Sequence, residues 1–132
     1  MDKLQLQLVD FVEIVGKYPD VKLAYFFGSR ALGTATENSD YDFAVYLDQK
    51  DARARYEMRL RLISDFSTLL GTDEVDLLVI NDLEMPALKF SIISEGILFY
   101  EQEPFKLLVE PKIMSEHCDL LFDLRKYNLT KA

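Results

Sequence analysis

The sequence predicts an α/β (α+β) domain in which a small mixed sheet is flanked by helices. Short β-rich segments alternate with amphipathic helical segments along the 132 residues. Hydrophobic residues make up 49% of the chain, which is enough to bury a core, and the length fits one domain. We therefore expect residues 1–132 to form a single domain, with residues 104–132 as a C-terminal helical extension.

The first two elements follow from periodicity and from the residues that interrupt it. Apolar residues recur at helical spacing near the start of the chain, at Leu4, Leu8, Phe11, Val12 and Val15. Gly16 and Pro19 then end this first helix. Residues 21–27 are short, β-rich and bounded by Gly28, which is typical of a buried strand.

A polar run at 28–40 separates this strand from a second predicted strand at 41–47. Asp48 or Asp51 can cap the long helix that follows, which continues to about Leu70. One face of that helix is apolar, formed by Met58, Leu62, Phe66, Leu69 and Leu70. The pattern therefore predicts a crossover helix of about twenty residues between two strands.

The remaining elements are a third strand at 75–80, a helix at 86–96, a fourth strand at 97–100 and a helical segment at 105–129. Pro111 should end or kink this last segment, because proline lacks a backbone N–H and clashes with the preceding turn. The segment also carries more apolar residues than a terminal extension needs. Part of them must cover the sheet, and the excess indicates a surface for a homo- or hetero-oligomer.

The charge balance narrows the function classes. With 15 Lys+Arg against 23 Asp+Glu, the net charge is −8, which argues against a general nucleic-acid binder. The single Cys cannot form an internal disulfide, as expected in a reducing compartment. Residues 1–5 have no basic, apolar signal pattern, and no apolar run is long enough for a bilayer. We expect a cytoplasmic protein without a membrane partner.

Two carboxylates stand at the beginning of the second strand. Side chains at i and i+2 leave a strand on the same face, so Asp40 and Asp42 should converge. When two carboxylates are held close together, the pKa of one of them rises unless a cation lies between them. Carboxylate oxygens of this kind suit Mg²⁺, which typically takes one or two carboxylates plus substrate phosphates. The pair therefore predicts a magnesium site.

A third carboxylate, Asp76, lies one residue into the third strand. A helical crossover favours parallel strands, which begin at the same sheet edge, so Asp76 should lie beside Asp40 and Asp42. If the first strand runs antiparallel to the second, Gly28 and Ser29 reach that edge as well and can approach a phosphate closely. Three carboxylates can hold two divalent ions for nucleotidyl transfer. Asp76 is the candidate for taking the proton of the acceptor hydroxyl.

The spacing of these residues resembles a known signature. The dipeptide Gly28-Ser29 is followed by ten residues and then by Asp40-Tyr41-Asp42, which is similar to the Gly-Ser-x10-Asp-x-Asp pattern of the polymerase-β-like nucleotidyltransferase superfamily. The resemblance covers about residues 4–100. It implies the nucleotidyltransferase fold, an ATP-type substrate and Mg²⁺.

Further positions extend the resemblance. Gly33 and Ser39 resemble residues of the smallest members, and Asp76 matches the third acid of the family. The chain looks most like the minimal nucleotidyltransferase (MNT) antitoxins that pair with HEPN-domain toxins. That family implies transfer of AMP from ATP to a tyrosine of the toxin. Two alternatives stay open, namely a small-molecule (aminoglycoside-type) nucleotidyltransferase and a non-catalytic antitoxin that acts by binding.

Several other residues allow both a functional and a structural interpretation. Arg30 follows Gly-Ser directly and either faces a triphosphate or pairs with Glu37 on the surface. His117 and Cys118 are better explained as packing and structural residues than as catalysts or metal ligands. Four arginines lie on two sides of the long helix, where a solvated, salt-bridged face is favoured; they are Arg53, Arg55, Arg59 and Arg61.

Overall fold

The computed structural model describes residues 3–126, which form five helices and four strands. In chain order the elements are α1 Lys3–Val15, β1 Val21–Phe27, α2 Ser29–Leu32, β2 Tyr41–Leu47, α3 Ala52–Leu70, β3 Val75–Val79, α4 Pro86–Glu95, β4 Ile97–Glu101 and α5 Phe105–Lys126, with a 3-10 turn at Ile80–Asp82 between β3 and α4. The predicted order of helices and strands is confirmed, with the short helix α2 as an addition between β1 and β2.

The four strands form one mixed sheet in the order β3-β2-β1-β4. The α3 crossover makes β2 and β3 parallel, whereas β1 runs antiparallel to both β2 and β4. Asp42 therefore lies directly beside Asp76 on one side and beside Phe27, the last residue of β1, on the other. The fold class and the strand directions expected from the sequence are confirmed.

One face of the sheet packs against α1 and α3 around a cluster of aromatic rings. The Phe43 and Phe66 rings stack with centroids 4.0 Å apart, and Phe11 meets Phe43 edge-on at 5.0 Å. All three side chains are fully buried. Rings packed in this way add to the stabilisation that comes from removing their area from water. This cluster holds β1 and β2 in place behind the acidic edge.

The other face of the sheet is covered by α4 and α5. The buried residues of this second cluster include Tyr25, Ala44, Ile92, Val109 and Ile113. Because side chains alternate along a strand, Asp42 lies on the same face as Ala44, two residues further on. The acidic residues thus stand at the rim of the face that α4 and α5 cover.

The ends of α3 explain why the crossover has its predicted length. The Asp51 side chain accepts a hydrogen bond from the Ala54 backbone N–H at 3.3 Å and so caps the first turn. Gly71 ends the helix with a φ of 67°, a conformation that glycine adopts without steric cost. Of the two candidate caps in the sequence, the structure uses Asp51.

The structure contains one helix that the sequence did not predict, and three elements, β3, α4 and β4, end one residue away from the predicted position. The polar run contains the short helix α2, which is too short to show a hydrophobic periodicity in the sequence. Strand β3 ends at Val79, one residue early, because the next residues turn so that Asn81 can pair with Leu47. The Asn81 amide accepts from the Leu47 N–H at 3.0 Å and donates to the Leu47 carbonyl at 2.9 Å.

Of the two effects expected of Pro111, it does not end the helix, because α5 continues through it. Proline at this position removes the hydrogen bond to the carbonyl of Leu107. The Leu107 residue is 77% exposed, so this turn of the helix lies at the surface of the molecule. The predicted helical segment ran to residue 129, and its residues 127–129, like the rest of 127–132, lie outside the described residues. None of the helices in 3–126 is long and apolar enough to cross a bilayer.

Candidate active site

The three predicted acids lie at one edge of the sheet, where β2 and β3 begin. Asp42 and Asp76 are register partners on neighbouring parallel strands, and Asp40 directly precedes β2. Asp40 is exposed, Asp42 is partly buried, and the Asp76 side chain is 47% exposed. Within residues 3–126 no three side chains of His, Cys, Asp or Glu already stand close enough together to enclose a metal ion. The structure thus brings the acids to a common edge without closing them into a cage.

The carboxyl group of Asp42 is the electrostatic centre of this edge. Its pKa is raised above the ordinary value, first because burial disfavours the charged form and then because Asp76 and Asp40 repel it. A divalent cation would relieve both effects, since hard carboxylate oxygens are the ligands that Mg²⁺ prefers. The chemistry of the donors therefore fits a divalent cation.

Gly28 lies against the Asp42 carboxylate and leaves no room for a side chain. Its φ is 79°, and a Cβ at this position would collide with Oδ2 of Asp42. The carbonyl of Gly28 accepts the N–H groups of Ala31 and Leu32, both at 3.1 Å, which fixes the turn into α2. The predicted Gly28-Ser29 pair does reach the acidic edge, and its glycine is required there by both backbone conformation and space.

Arg30 was predicted either to face a triphosphate or to pair with Glu37, and in the structure it contacts Ser39 and Tyr41 instead. Its Nε donates to the Ser39 carbonyl at 2.9 Å, and its guanidinium lies 4.1 Å from the centroid of the Tyr41 ring. Among the described residues it forms no ion pair with Glu37. Arg30 therefore ties the start of the polar run to its end and holds the backbone next to Asp40. Contact with a triphosphate stays a prediction.

Arg59 is the residue that sequence reasoning missed. Its Nη2 lies 3.8 Å from Oδ1 of Asp76, and its Nε donates to the Leu77 carbonyl at 2.7 Å. Because β3 is an edge strand, that carbonyl has no partner strand, and the arginine of the crossover helix reaches around the edge to it. The available signal was the edge position of β3 beside a basic helix.

The other uncertain residues behave as the structural interpretation predicted. Arg55 pairs with Asp82 at 2.7 Å, and Arg53 pairs with Glu57, so two of the four α3 arginines form surface salt bridges. His117 stacks on Phe90 with centroids 4.1 Å apart and planes within 5°. Cys118 is an exposed free thiol. None of these side chains reaches the acidic edge.

Comparison with known proteins agrees with this geometry. Residues 10–105 match the sequence profile of the family described as "Polymerase beta, Nucleotidyltransferase". A curated relative, protein adenylyltransferase MntA of Aphanizomenon flos-aquae (strain 2012/KM1/D3), is 27% identical over 97 residues. That alignment spans 69% of this chain and 64% of the relative, less than two thirds of the latter's length.

Solved structures with a similar fold include two toxin–antitoxin complexes. One is a toxin-antitoxin crystal structure with AMP-PNP, matched with a TM-score of 0.72 and 24% identity over 91% of this chain and 94% of that chain. The other is a tri-AMPylated Shewanella oneidensis HEPN toxin in complex with its MNT antitoxin, with a TM-score of 0.66 and 22% identity over 93% of both chains. At these identities the likeness establishes the fold. With the sequence profile matched over most of the chain, the protein belongs to the polymerase beta nucleotidyltransferase family.

Proposed function

We propose that this chain transfers AMP from ATP to a tyrosine hydroxyl of a HEPN toxin, with Mg²⁺ as cofactor, and so acts as an antitoxin in the cytoplasm. The observation that carries the proposal is that Asp42 and Asp76 are register partners on neighbouring strands and that Gly28 packs directly against the Asp42 carboxylate. Further support comes from the relatives, since one is a protein adenylyltransferase and two similar folds occur in complexes that hold AMP-PNP or an AMPylated HEPN toxin. We also propose that residues 1–132 act as one domain, with 104–132 as its helical extension.

The proposed roles follow from where the side chains lie. Asp40, Asp42 and Asp76 would hold Mg²⁺, two ions in the full site, which when bound stabilises the charge that develops on the α-phosphate and on the departing pyrophosphate. Gly28 and Ser29 offer close backbone approach to the triphosphate. Asp42 and Asp76 lie in β2 and β3, Asp40 directly precedes β2, and Gly28 and Ser29 directly follow β1.

The proton of the acceptor must leave as its oxygen bonds to the α-phosphorus. Asp76 is the proposed base, because it lies on β3, whereas Asp40 and Asp42 lie at the start of β2, and because its side chain is 47% exposed. Arg30 would complete the triphosphate site from the turn that it already fixes through Ser39. The bond from the α-phosphorus to the bridging oxygen breaks, and pyrophosphate is released.

The test is incubation of the purified chain with Mg²⁺, ATP labelled at the α-phosphate and the HEPN protein encoded next to it. We expect label on the HEPN protein, and no label when Asp42→Asn replaces the wild type. Asp119→Asn, at an exposed position on α5 outside the site, is the matched control and should transfer normally. Absence of transfer by the wild type, or full transfer by Asp42→Asn, contradicts the proposal.

Two further outcomes identify the alternatives. Nucleotide transfer to an aminoglycoside-type panel in the absence of any protein acceptor would indicate a small-molecule enzyme. Neutralisation of the toxin at wild-type strength by an Asp40→Ala/Asp42→Ala variant would indicate an antitoxin that acts by binding alone.

Arg59→Ala tests whether the crossover helix positions Asp76. Loss of the guanidinium frees the Asp76 side chain, and we expect kcat to fall about tenfold with the KM for ATP nearly unchanged, since misplacing a catalytic group affects the reacting geometry. Arg59→Lys keeps a cation beside Asp76 and should recover part of kcat. Arg53→Ala, on an 87% exposed side chain of the same helix, is the control. Equal kcat values for all three variants and the wild type would show that Arg59 only covers the strand edge.

A further inference from the structure

We propose that a groove at the C-terminal ends of β2 and β3, the strand ends opposite the acids, is the docking surface for an acidic segment of the partner protein. This inference rests on the proposed function for the identity of the partner, the HEPN toxin. The groove has a volume of about 570 Å³ and lies between the end of β2, the start of α3, the 3-10 turn and the first halves of α4 and α5. Four basic side chains line this groove.

The charge of the groove is opposite to that of the chain. Its lining includes two acids, Asp48 and Glu116, and four basic residues, which are Lys50, Arg55, Lys89 and Lys112. Arg55 is paired with Asp82 just outside the lining and Lys89 with Glu116, so the basic excess of the groove comes from Lys50 and Lys112, in a chain with 15 basic and 23 acidic residues. Lys50 and Lys112 are exposed and form no ion pair with any residue in 3–126, which leaves two ammonium groups for incoming carboxylates.

The walls of the groove are fixed before any partner arrives. Arg55 donates from Nη1 to the carbonyls of Gln49 and Lys50, both at 3.0 Å, while its other nitrogens hold Asp82. Lys89 pairs with Glu116 at 2.8 Å and so ties α4 to α5. A surface that is already ordered loses less conformational entropy on binding.

Apolar residues supply anchoring contacts inside the charged rim. Tyr46 and Phe105 line the groove with ring centroids 6.1 Å apart, next to the buried Ile113. At the rim Leu108 is 61% exposed, and the adjacent Leu107 is 77% exposed. An apolar floor with a polar rim is the usual composition of a protein–protein interface.

The position of the groove favours a partner protein over a second copy of this chain. In a twofold dimer through this surface, each basic groove would face its own image, which like-charge repulsion opposes. Along β2 the groove lies about 17 Å from Asp42, at about 3.3 Å per residue over five residues. A partner docked there leaves the acidic edge free for the nucleotide and the acceptor hydroxyl.

Calorimetric titration of the full chain with the HEPN protein tests the inference. We expect Lys50→Glu/Lys112→Glu to weaken binding at least about thirtyfold, through lost attraction and added repulsion. Leu108→Ser, which changes no charge, should weaken it about fivefold. Lys106→Glu, exposed on α5 but outside the groove lining, is the matched control and should bind like the wild type. Thermal unfolding of each variant confirms that it is folded.

The outcomes separate this inference from the proposed function. Wild-type affinity in both groove variants overturns the docking surface and leaves AMP transfer untouched. Weakened binding in the groove variants, with no AMP transfer by the wild type, supports the docking surface and overturns the enzymatic proposal. Failure of the wild type to bind the HEPN protein overturns both.

Discussion

Asp42→Asn is expected to lower AMP transfer at least about a thousandfold, which corresponds to about 4 kcal/mol of barrier. Asn keeps the shape of the side chain but has no charge with which to hold a divalent cation between β2 and β3. The measurement is the initial rate of label transfer at saturating ATP, Mg²⁺ and acceptor. Transfer within tenfold of the wild type would remove Asp42 from the proposed metal site.

The same substitution is expected to stabilise the protein in the absence of divalent cations. Because burial and the neighbouring acids raise the pKa of Asp42 above its unfolded value, the folded state binds a proton more tightly than the unfolded state. The free energy of unfolding therefore falls as pH rises from the unfolded-state pKa of Asp42 through its raised folded-state pKa. Above that pH range, the full cost of keeping Asp42 charged in the folded protein is present. Asp42→Asn removes this penalty, so its Tm at pH 7 should exceed that of the wild type.

The pH and metal dependence of Tm make this expectation specific. The wild type should lose stability across the acidic window relative to Asp42→Asn, and the two should converge below the unfolded pKa. Mg²⁺ should raise the Tm of the wild type and have a smaller effect on the variant, because a ligand stabilises the state that binds it. A variant that is less stable than the wild type at pH 7 would show that the Asp42 carboxylate stabilises the fold rather than strains it.

The convergence of the acids could be predicted because it depends on short-range rules. A two-residue period puts Asp40 and Asp42 on one face, and a helical crossover makes the next strand parallel, which brings Asp76 beside them. The glycine before the polar run was also visible in the sequence. What the sequence does not contain is the reason for that glycine, namely that the Asp42 carboxylate occupies the space of its missing side chain.

The contacts that were not predicted depend on three-dimensional neighbours. Arg59 is one of several arginines on α3, and only the edge position of β3 singles it out. Helix α2 has four residues and no hydrophobic repeat, so no periodicity marks it. Helix α5 continues through Pro111 on a surface turn of the helix, and a proline rule applied to the sequence does not include those surroundings.

Gly28→Ala is expected to reduce AMP transfer about a hundredfold, because displacing a reacting group by about 1 Å has effects of this size. The added methyl group cannot coexist with Oδ2 of Asp42, so the carboxylate or the turn into α2 must move. The substitution also forces alanine into a φ of 79°, which costs about 1 kcal/mol of stability. Initial rates and thermal unfolding of the same preparation measure the two effects.

Gly33→Ala separates the effect of backbone strain at a positive φ from the effect of a collision with Asp42. Gly33 ends α2 with a φ of 77°, close to that of Gly28, but a Cβ there would meet no atom within 4 Å. Both variants should therefore lose about 1 kcal/mol from the strained backbone, whereas only Gly28→Ala should lose activity strongly. If Gly33→Ala is equally inactive, the conformation of the turn controls the reaction. If neither variant loses activity, the contact between Gly28 and Asp42 has no part in it, and the observation that carries the proposed function is lost.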